Sequence, residues 1–102
     1  MDKPFFTVVI PTYNHEFFLK KAVNSVLNQT FDNYEIIIID NYSDDKTEEY
    51  IKSLNNQKIR FFKIQNHGLL AKSRNLGIKE AKSDWIAFLD SDDLWYKDRL
   101  QI

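Results

Sequence analysis

Four short apolar runs, spaced along the whole chain, constrain the fold more than any other feature. They are residues 5–10 (FFTVVI), 34–39 (YEIIII), 59–64 (IRFFKI) and 85–89 (WIAFL). Each is rich in β-branched or aromatic residues and about the length of a strand. The first, second and fourth are almost continuous in apolar character, as strands are when both faces are covered. The third alternates, with Arg60 and Lys63 turned away from the core, which places it at a sheet edge. Between the runs the period becomes helical. After Asn14, a suitable N-cap, the residues Phe18, Leu19, Ala22, Val23, Val26 and Leu27 recur three and four apart, opposite Lys20, Lys21, Asn24 and Asn28. Ser43 is placed to cap a second helix, with Asp44 and Asp45 in its first turn and a stripe of Tyr50, Ile51 and Leu54. A third helix follows Gly68, with Leu70, Ala71, Ile78 and Ala81 on one side. A fourth is expected from Leu94 or Trp95 onward. This β-α alternation predicts an α/β, doubly wound, Rossmann-like fold: a mostly parallel sheet with helices on both faces and right-handed crossovers.

A chain of 102 residues fits one domain, 1–102. It closes on KDRLQI, without the Gly, Asn or Pro that stops a helix. It is therefore expected to be the N-terminal part of a longer domain. With 14 basic and 15 acidic residues, it lacks the excess positive charge of a nucleic-acid binder. The absence of cysteine excludes a disulfide framework, a thiolate metal site and a Cys nucleophile. No apolar run approaches the ~18 residues of a membrane span, and MDKPFF carries no signal-peptide core. A cytoplasmic place is expected, with peripheral attachment at the cytoplasmic face of a membrane left open.

Parallel strands put the loops after their carboxyl ends on one edge, where open α/β sheets bind ligands. Here those loops read PTYN (11–14), DNYSDD (40–45), QNHG (65–68) and DSDD (90–93). Tyr13, Asp40, Asn41, Asp90 and Asp92 should therefore converge although they are far apart in sequence. Carboxylates as close as those of DSDD repel one another unless water, hydrogen bonds or a cation intervene. Taken alone, that run reads best as a strand exit whose aspartates cap the next helix. Beside the other three loops it reads better as a site for a divalent cation. Asp44 and Asp45 are read as helix caps, and Asp93 suits either role. His15 and His67 are lone loop histidines and are assigned no chemistry. Trp85 and Trp95 are read as packing residues.

Such an edge suits a nucleotide. Tyr13 offers a ring to a base. Asp40 and Asn41 can hydrogen-bond base or ribose. Asp90 and Asp92 are hard oxygen ligands for Mg²⁺ or Mn²⁺, which would neutralise a departing diphosphate. Neither G-x-G-x-x-G nor G-x-x-x-x-G-K-[ST] occurs, and Gly68 and Gly77 are the only glycines. A metal-bridged phosphate is thus preferred to a backbone cradle.

The ordered set VVIPTYN, SVLNQTFDNYEIIIIDNYSDD, NHGLLAKSRNLGIKEAKSDWIAFLDSDD and LW followed by DRL resembles the family 2 inverting glycosyltransferases of the GT-A fold, in their N-terminal, nucleotide-sugar-binding part. The resemblance covers nearly the whole chain. It implies strand order 3-2-1-4, with the switch between strands one and four. It implies that Pro11 and Tyr13 lie at the nucleotide, with Tyr13 on the base, and that Asp40 and Asn41 meet uracil and ribose. Arg74 of the R-N motif would reach the nucleotide, Asp90 the ribose and Asp92 the metal. Two positions depart from the pattern. Asn41 replaces a second acidic residue, and Tyr42 stands where a glycine often follows. An amide donates as well as accepts, which leaves the polarity of that contact open.

The implied activity transfers a sugar from a UDP-sugar, with Mn²⁺ or Mg²⁺ and inversion, to a hydroxyl of a saccharide or lipid-linked acceptor in polysaccharide biosynthesis. The general base would lie beyond Ile102, so no catalytic residue is named and this chain alone is expected to be inactive. The alternative is a non-catalytic nucleotide-binding module of the same fold. A receiver-like phosphoacceptor domain would need an acidic pair after strand one, where this chain has PTYN. The sugar, the acceptor and any homo-oligomer are left open.

Overall fold

The computed structural model describes residues 4–13, 16–29, 32–66 and 69–89. Their element order is β1 (Phe6–Thr12), α1 (Glu16–Leu27), β2 (Tyr34–Asp40), α2 (Thr47–Leu54), β3 (Ile59–Lys63), α3 (Leu70–Glu80) and β4 (Trp85–Phe88). The strands form one sheet in the order β3-β2-β1-β4, and every pairing is parallel. This is the doubly wound architecture and strand order that the sequence implied. The expected fourth helix, and Asn14 with its capping role, lie outside the described residues.

The sheet is built around β2, in which all seven residues are buried. Its side chains alternate between two helical layers. Ile36 and Ile38 join Val8 and Ile10 under Leu19, Ala22, Val23 and Val26 of α1 and Ile51 of α2. Ile37 and Ile39 join Val9 on the other face, against Leu76 of α3. The Tyr34 hydroxyl donates to the Val26 carbonyl at 3.1 Å, which also accepts the Gln29 backbone N–H at 3.0 Å, and so ties β2 to the end of α1.

The α3 layer differs from the expected stripe. Leu70 and Ile78 are exposed, and the residues that α3 buries are Ser73 and Gly77. Close approach explains this. A Cβ added at Gly77 would lie 2.5 Å from Val9 Cγ1, so the helix rests directly on β1 at that point. The face that touches the sheet is therefore small rather than apolar. On α1, likewise, Phe18 was placed with the apolar face but is exposed.

Three further expectations change. The second helix begins at Thr47, not after Ser43. Asp45 Oδ1 accepts the Thr47 backbone N–H at 3.1 Å, and the first-turn acids are Glu48 and Glu49. Trp85 is 61% exposed, because β4 pairs with β1 alone among the described strands and Trp85 stands at its amino end. Arg60 does not turn to solvent. It meets the buried Glu35 at the start of β2, with Arg60 Nη1 3.1 Å from Glu35 Oε1 and 2.7 Å from the Glu80 carbonyl oxygen. Thr7 Oγ1 and the Lys82 backbone N–H also donate to Glu35 Oε2, at 2.8 and 2.6 Å. A buried carboxylate is tolerated only with such partners.

Gly77→Ala is expected to lower stability by about 1–3 kcal/mol in denaturant unfolding, despite alanine's better helix propensity. Adding Val9→Ala should recover part of that loss, because it empties the space the new methyl needs.

Candidate functional site

All four strands deliver their chain to the same edge, and hydrogen bonds join the segments beyond their carboxyl ends. β1 and β2 finish together, with Thr12 opposite Asp40. The next residue of β2, Asn41, donates its backbone N–H to the Thr12 carbonyl at 3.0 Å. Tyr13 leaves β1 at this point, and its side chain is 48% exposed. Beyond β3, Ile64 donates its backbone N–H to the Asp40 carbonyl at 2.9 Å. Two residues later the Asn66 backbone N–H reaches Asn41 Oδ1 at 3.0 Å. Asn66 is buried, and its Nδ2 donates to the buried Ser73 Oγ at 3.1 Å. Ser73 precedes Arg74 on α3, whose guanidinium carbon lies 5.5 Å from the centroid of the Phe88 ring at the end of β4. One rim thus runs from β1 through β2, the β3–α3 loop and α3 to β4.

Pro11 limits what β1 can offer β4 beyond Leu89. Thr12 offers its carbonyl to β2, and Val9 accepts the Leu89 backbone N–H at 3.0 Å on the β4 side. By alternation Pro11 faces β4, and it has no N–H to donate. Pro11 therefore gives β4 no backbone donor. Pro11 itself is buried below the rim.

Asp40 is buried, and its carboxylate is committed locally. Oδ2 accepts the Ser43 backbone N–H at 3.1 Å, and Oδ1 accepts the Ser43 hydroxyl. This tight turn sets Tyr42 at φ 49°, in the left-handed region that favours glycine. A tyrosine there costs about 1–2 kcal/mol, which gives the departure at Tyr42 its physical weight. Lys63 Nζ lies 5.0 Å from the centroid of its ring and offsets part of that cost. Ser43, expected to cap a helix, instead holds Asp40.

Four of the sequence-predicted residues, Tyr13, Asp40, Asn41 and Arg74, gather on this rim, with Pro11 beneath it. Asp90 and Asp92 lie outside the described residues, as do Asp93, Trp95, His15 and His67. Among the described residues, no group of three or more His, Asp or Glu side chains is placed to hold a metal ion. No helix among them is long and apolar enough to cross a membrane. Sequence reasoning missed Thr12, Asn66 and Ser73. Thr12 Oγ1 is buried with no hydrogen-bond partner among the described residues, on the same face of the sheet as Asp40. The signal for Thr12 and Asn66 was their position, at or just beyond a strand end, whereas Ser73 lies in the first turn of α3 and carries no such signal.

The model of the glycosyl transferase family 2 matches residues 7–102. The chain belongs to that family. A Rickettsia felis protein described as an uncharacterized glycosyltransferase is 48% identical over 94% of this chain and 16% of its own length. The Escherichia coli UDP-Glc:α-D-GlcNAc-diphosphoundecaprenol β-1,3-glucosyltransferase WfgD is 32% identical over 100% of this chain and 40% of its own. The crystal structure of Staphylococcus aureus TarS in complex with UDP-GlcNAc matches with a TM-score of 0.88 and 31% identity, over 95% of this chain and 29% of that one. This family 2 chain therefore spans less than half the length of each of these proteins.

Behind the rim, Glu48 of α2 ties two elements together. Its carboxylate lies 2.7 Å from Lys52 Nζ and 2.7 Å from Lys63 Nζ of β3. Hydrogen bonds from Lys52 and then Lys63 pull the Glu48 carboxyl from 4.5 down to about 2. The hydrogen bond to Glu48 raises the Lys63 ammonium in return. A carboxyl lowered in this way contributes stability fully above its ordinary 4.5, and the contribution is lost as pH falls through about 2. In an NMR titration of the Glu48 side-chain carboxyl, Lys63→Met is expected to move the midpoint part of the way back up, with Lys52 still holding the rest. An unmoved midpoint would show that Lys63 does not reach Glu48.

Proposed function

We propose that this chain is the donor-binding part of a glycosyltransferase that uses a UDP-sugar. The observation that carries the reading is the hydrogen-bonded rim, which gathers Tyr13, Asp40, Asn41 and Arg74 at the carboxyl edge of a family 2 fold. The UDP-GlcNAc complex of TarS and the UDP-glucose donor in the name of WfgD support the choice of nucleotide. Tyr13, exposed and next to Asn41, would stack on the base. Asp40 would face the nucleoside with the turn through Ser43 already formed, so that little ordering is left for binding. Pro11 would shape the floor. The Thr12 hydroxyl, buried beside Asp40 and still able to donate, adds a polar group at the same place. Arg74 supplies positive charge toward the phosphates.

In sequence Asp90 follows directly on Leu89, which is still bonded to β1 at this edge, and Asp92 comes two residues later. Their hard carboxylate oxygens suit Mn²⁺ or Mg²⁺, with Asp92 as metal ligand and Asp90 toward the ribose. Such an ion would supply charge neutralisation for the diphosphate leaving group. In the whole enzyme, an acceptor hydroxyl would attack the anomeric carbon from the face opposite UDP, with inversion. The base that takes its proton is expected beyond Ile102. The acceptor would be a saccharide or a lipid-linked sugar, the latter suggested by the diphosphoundecaprenol in the name of WfgD.

Calorimetry with UDP tests this reading directly. UDP is expected to bind the full chain in the presence of Mn²⁺, more weakly in EDTA, and at least about tenfold more weakly to an Asp92→Ala variant. A folded chain that takes up no UDP with or without Mn²⁺ would contradict it.

A further inference from the structure

We propose that the outer face of α1 docks on the anionic surface of a lipid membrane and so brings the rim to a lipid-linked acceptor. The proposal rests on the glycosyl-transfer reading above and deepens it, because it favours the lipid-linked acceptor over a free saccharide. α1 is seated on the sheet by Leu19, Ala22, Val23 and Val26, all 0% exposed. Phe17 and Phe18 stand outside that cluster and are 64% and 48% exposed. Their rings meet edge to face, with centroids 5.4 Å apart. Lys21 Nζ lies 4.5 Å from the centroid of the Phe17 ring, and Lys20 Nζ lies 5.4 Å from that of Tyr50 on α2. Among the described residues of α1, the exposed ones are Phe17, Phe18, Lys20, Lys21 and Asn24, with no carboxylate in the set.

Apolar side chains scattered singly over a surface are ordinary. Two adjacent rings beside two lysines, on one face of a helix, match the chemistry of a membrane interface. The rings enter the boundary between headgroups and acyl chains, and the lysines reach the phosphates of anionic lipids. Exposed acids lead into α2, at Asp44, Asp45 and Glu49, and would be repelled by such a surface, so the contact is confined to α1. Position gives the patch its use. Three residues separate Thr12 at the end of β1 from Glu16, so α1 starts at the carboxyl edge of the sheet. Phe17 is four residues beyond Tyr13. A membrane held there lies at the edge where the nucleotide is expected. Two rings and two lysines make a weak anchor, comparable with a single acyl chain, which binds marginally and reversibly. That suits an enzyme that must leave one acceptor for the next.

The test is co-sedimentation of the full chain with vesicles of phosphatidylcholine alone and of phosphatidylcholine mixed equally with phosphatidylglycerol. At about fivefold per lysine, the wild-type chain is expected to prefer the anionic vesicles by about twentyfold. Lys20→Gln with Lys21→Gln should remove most of that preference. Phe17→Ser should weaken binding to both kinds of vesicle by about fivefold. Phe17→Trp should strengthen it, since tryptophan favours the interface, and a role of Phe17 in folding alone gives no such gain. UDP binding in calorimetry should stay unchanged in all of these variants. A chain that binds UDP but no anionic vesicle overturns the proposal and leaves the nucleotide reading standing. So does equal binding to both kinds of vesicle, and so does binding unmoved by Phe17→Ser and by the lysine pair. Self-association of the lipid-free chain that Phe17→Ser abolishes overturns it as well, and makes this face a contact between copies. A chain that sediments with anionic vesicles but binds no UDP contradicts the nucleotide reading and leaves the docking standing.

Discussion

The pairing of β1 with β2 is the interaction on which everything else in this domain depends. Seven consecutive residues of each strand meet in parallel, from Phe6 opposite Tyr34 to Thr12 opposite Asp40, and almost all of them are buried. Because side chains alternate, that register decides at once which residues face α1 and α2 and which face α3. A slip of one residue would send Ile36 and Ile38 toward α3. It would also turn Asp40 to the opposite face of the sheet. The same register brings the two strands to the rim together, so that Asn41 can bond back to Thr12 and Tyr13 can leave beside it. The core and the site are consequences of one alignment.

The two edges of the sheet use polar groups in opposite ways. At the amino edge, Glu35 is buried and saturated by Thr7, Lys82 and Arg60, and Arg60 in turn holds the end of α3 at Glu80. Removing one partner of such a group leaves a charge stranded in the interior, so the cluster locks β1, β2, β3 and α3 into one arrangement. At the carboxyl edge the bonds tie loops to strand ends but leave the Tyr13 ring exposed and the buried Thr12 hydroxyl without a hydrogen-bond partner among the described residues. Rigidity behind a binding site and unspent hydrogen-bonding capacity within it are what preorganised recognition requires. Pro11 links the two demands, because the residue that helps fill the strand also withholds a backbone donor on the β4 side.

Much of this was legible in the residues. The isoleucine run 36–39 suits a strand covered on both faces, and the strand ends point to Tyr13, Asp40 and Asn41, while the R-N motif points to Arg74. What stayed hidden had physical causes. α3 packs through Ser73 and Gly77, and close approach of a helix to a sheet selects small side chains, which periodicity of large apolar residues does not register. Glu35 sits inside an apolar run, and the groups that allow it there come from positions 7, 60 and 82, which no local window joins. Ser43 looked like a helix cap because serine before an acidic pair commonly is one. Here Asp40, three residues earlier, claimed it. Asn66 and Ser73 carry no chemical signature of their own. Their importance lies in whom they hold.

The most direct measurement of the central claim is to map UDP on the protein by amide chemical-shift changes in solution, with Mg²⁺ as the diamagnetic cation. If the carboxyl edge is the nucleotide site, the largest changes will fall on Thr12, Tyr13, Asp40, Asn41, Asn66 and the residues around Arg74 and Asp90, with Glu35, Arg60 and Lys82 at the far edge unmoved. Changes centred on the amino edge around Phe5 and Trp85, or no changes at saturating UDP, would contradict it.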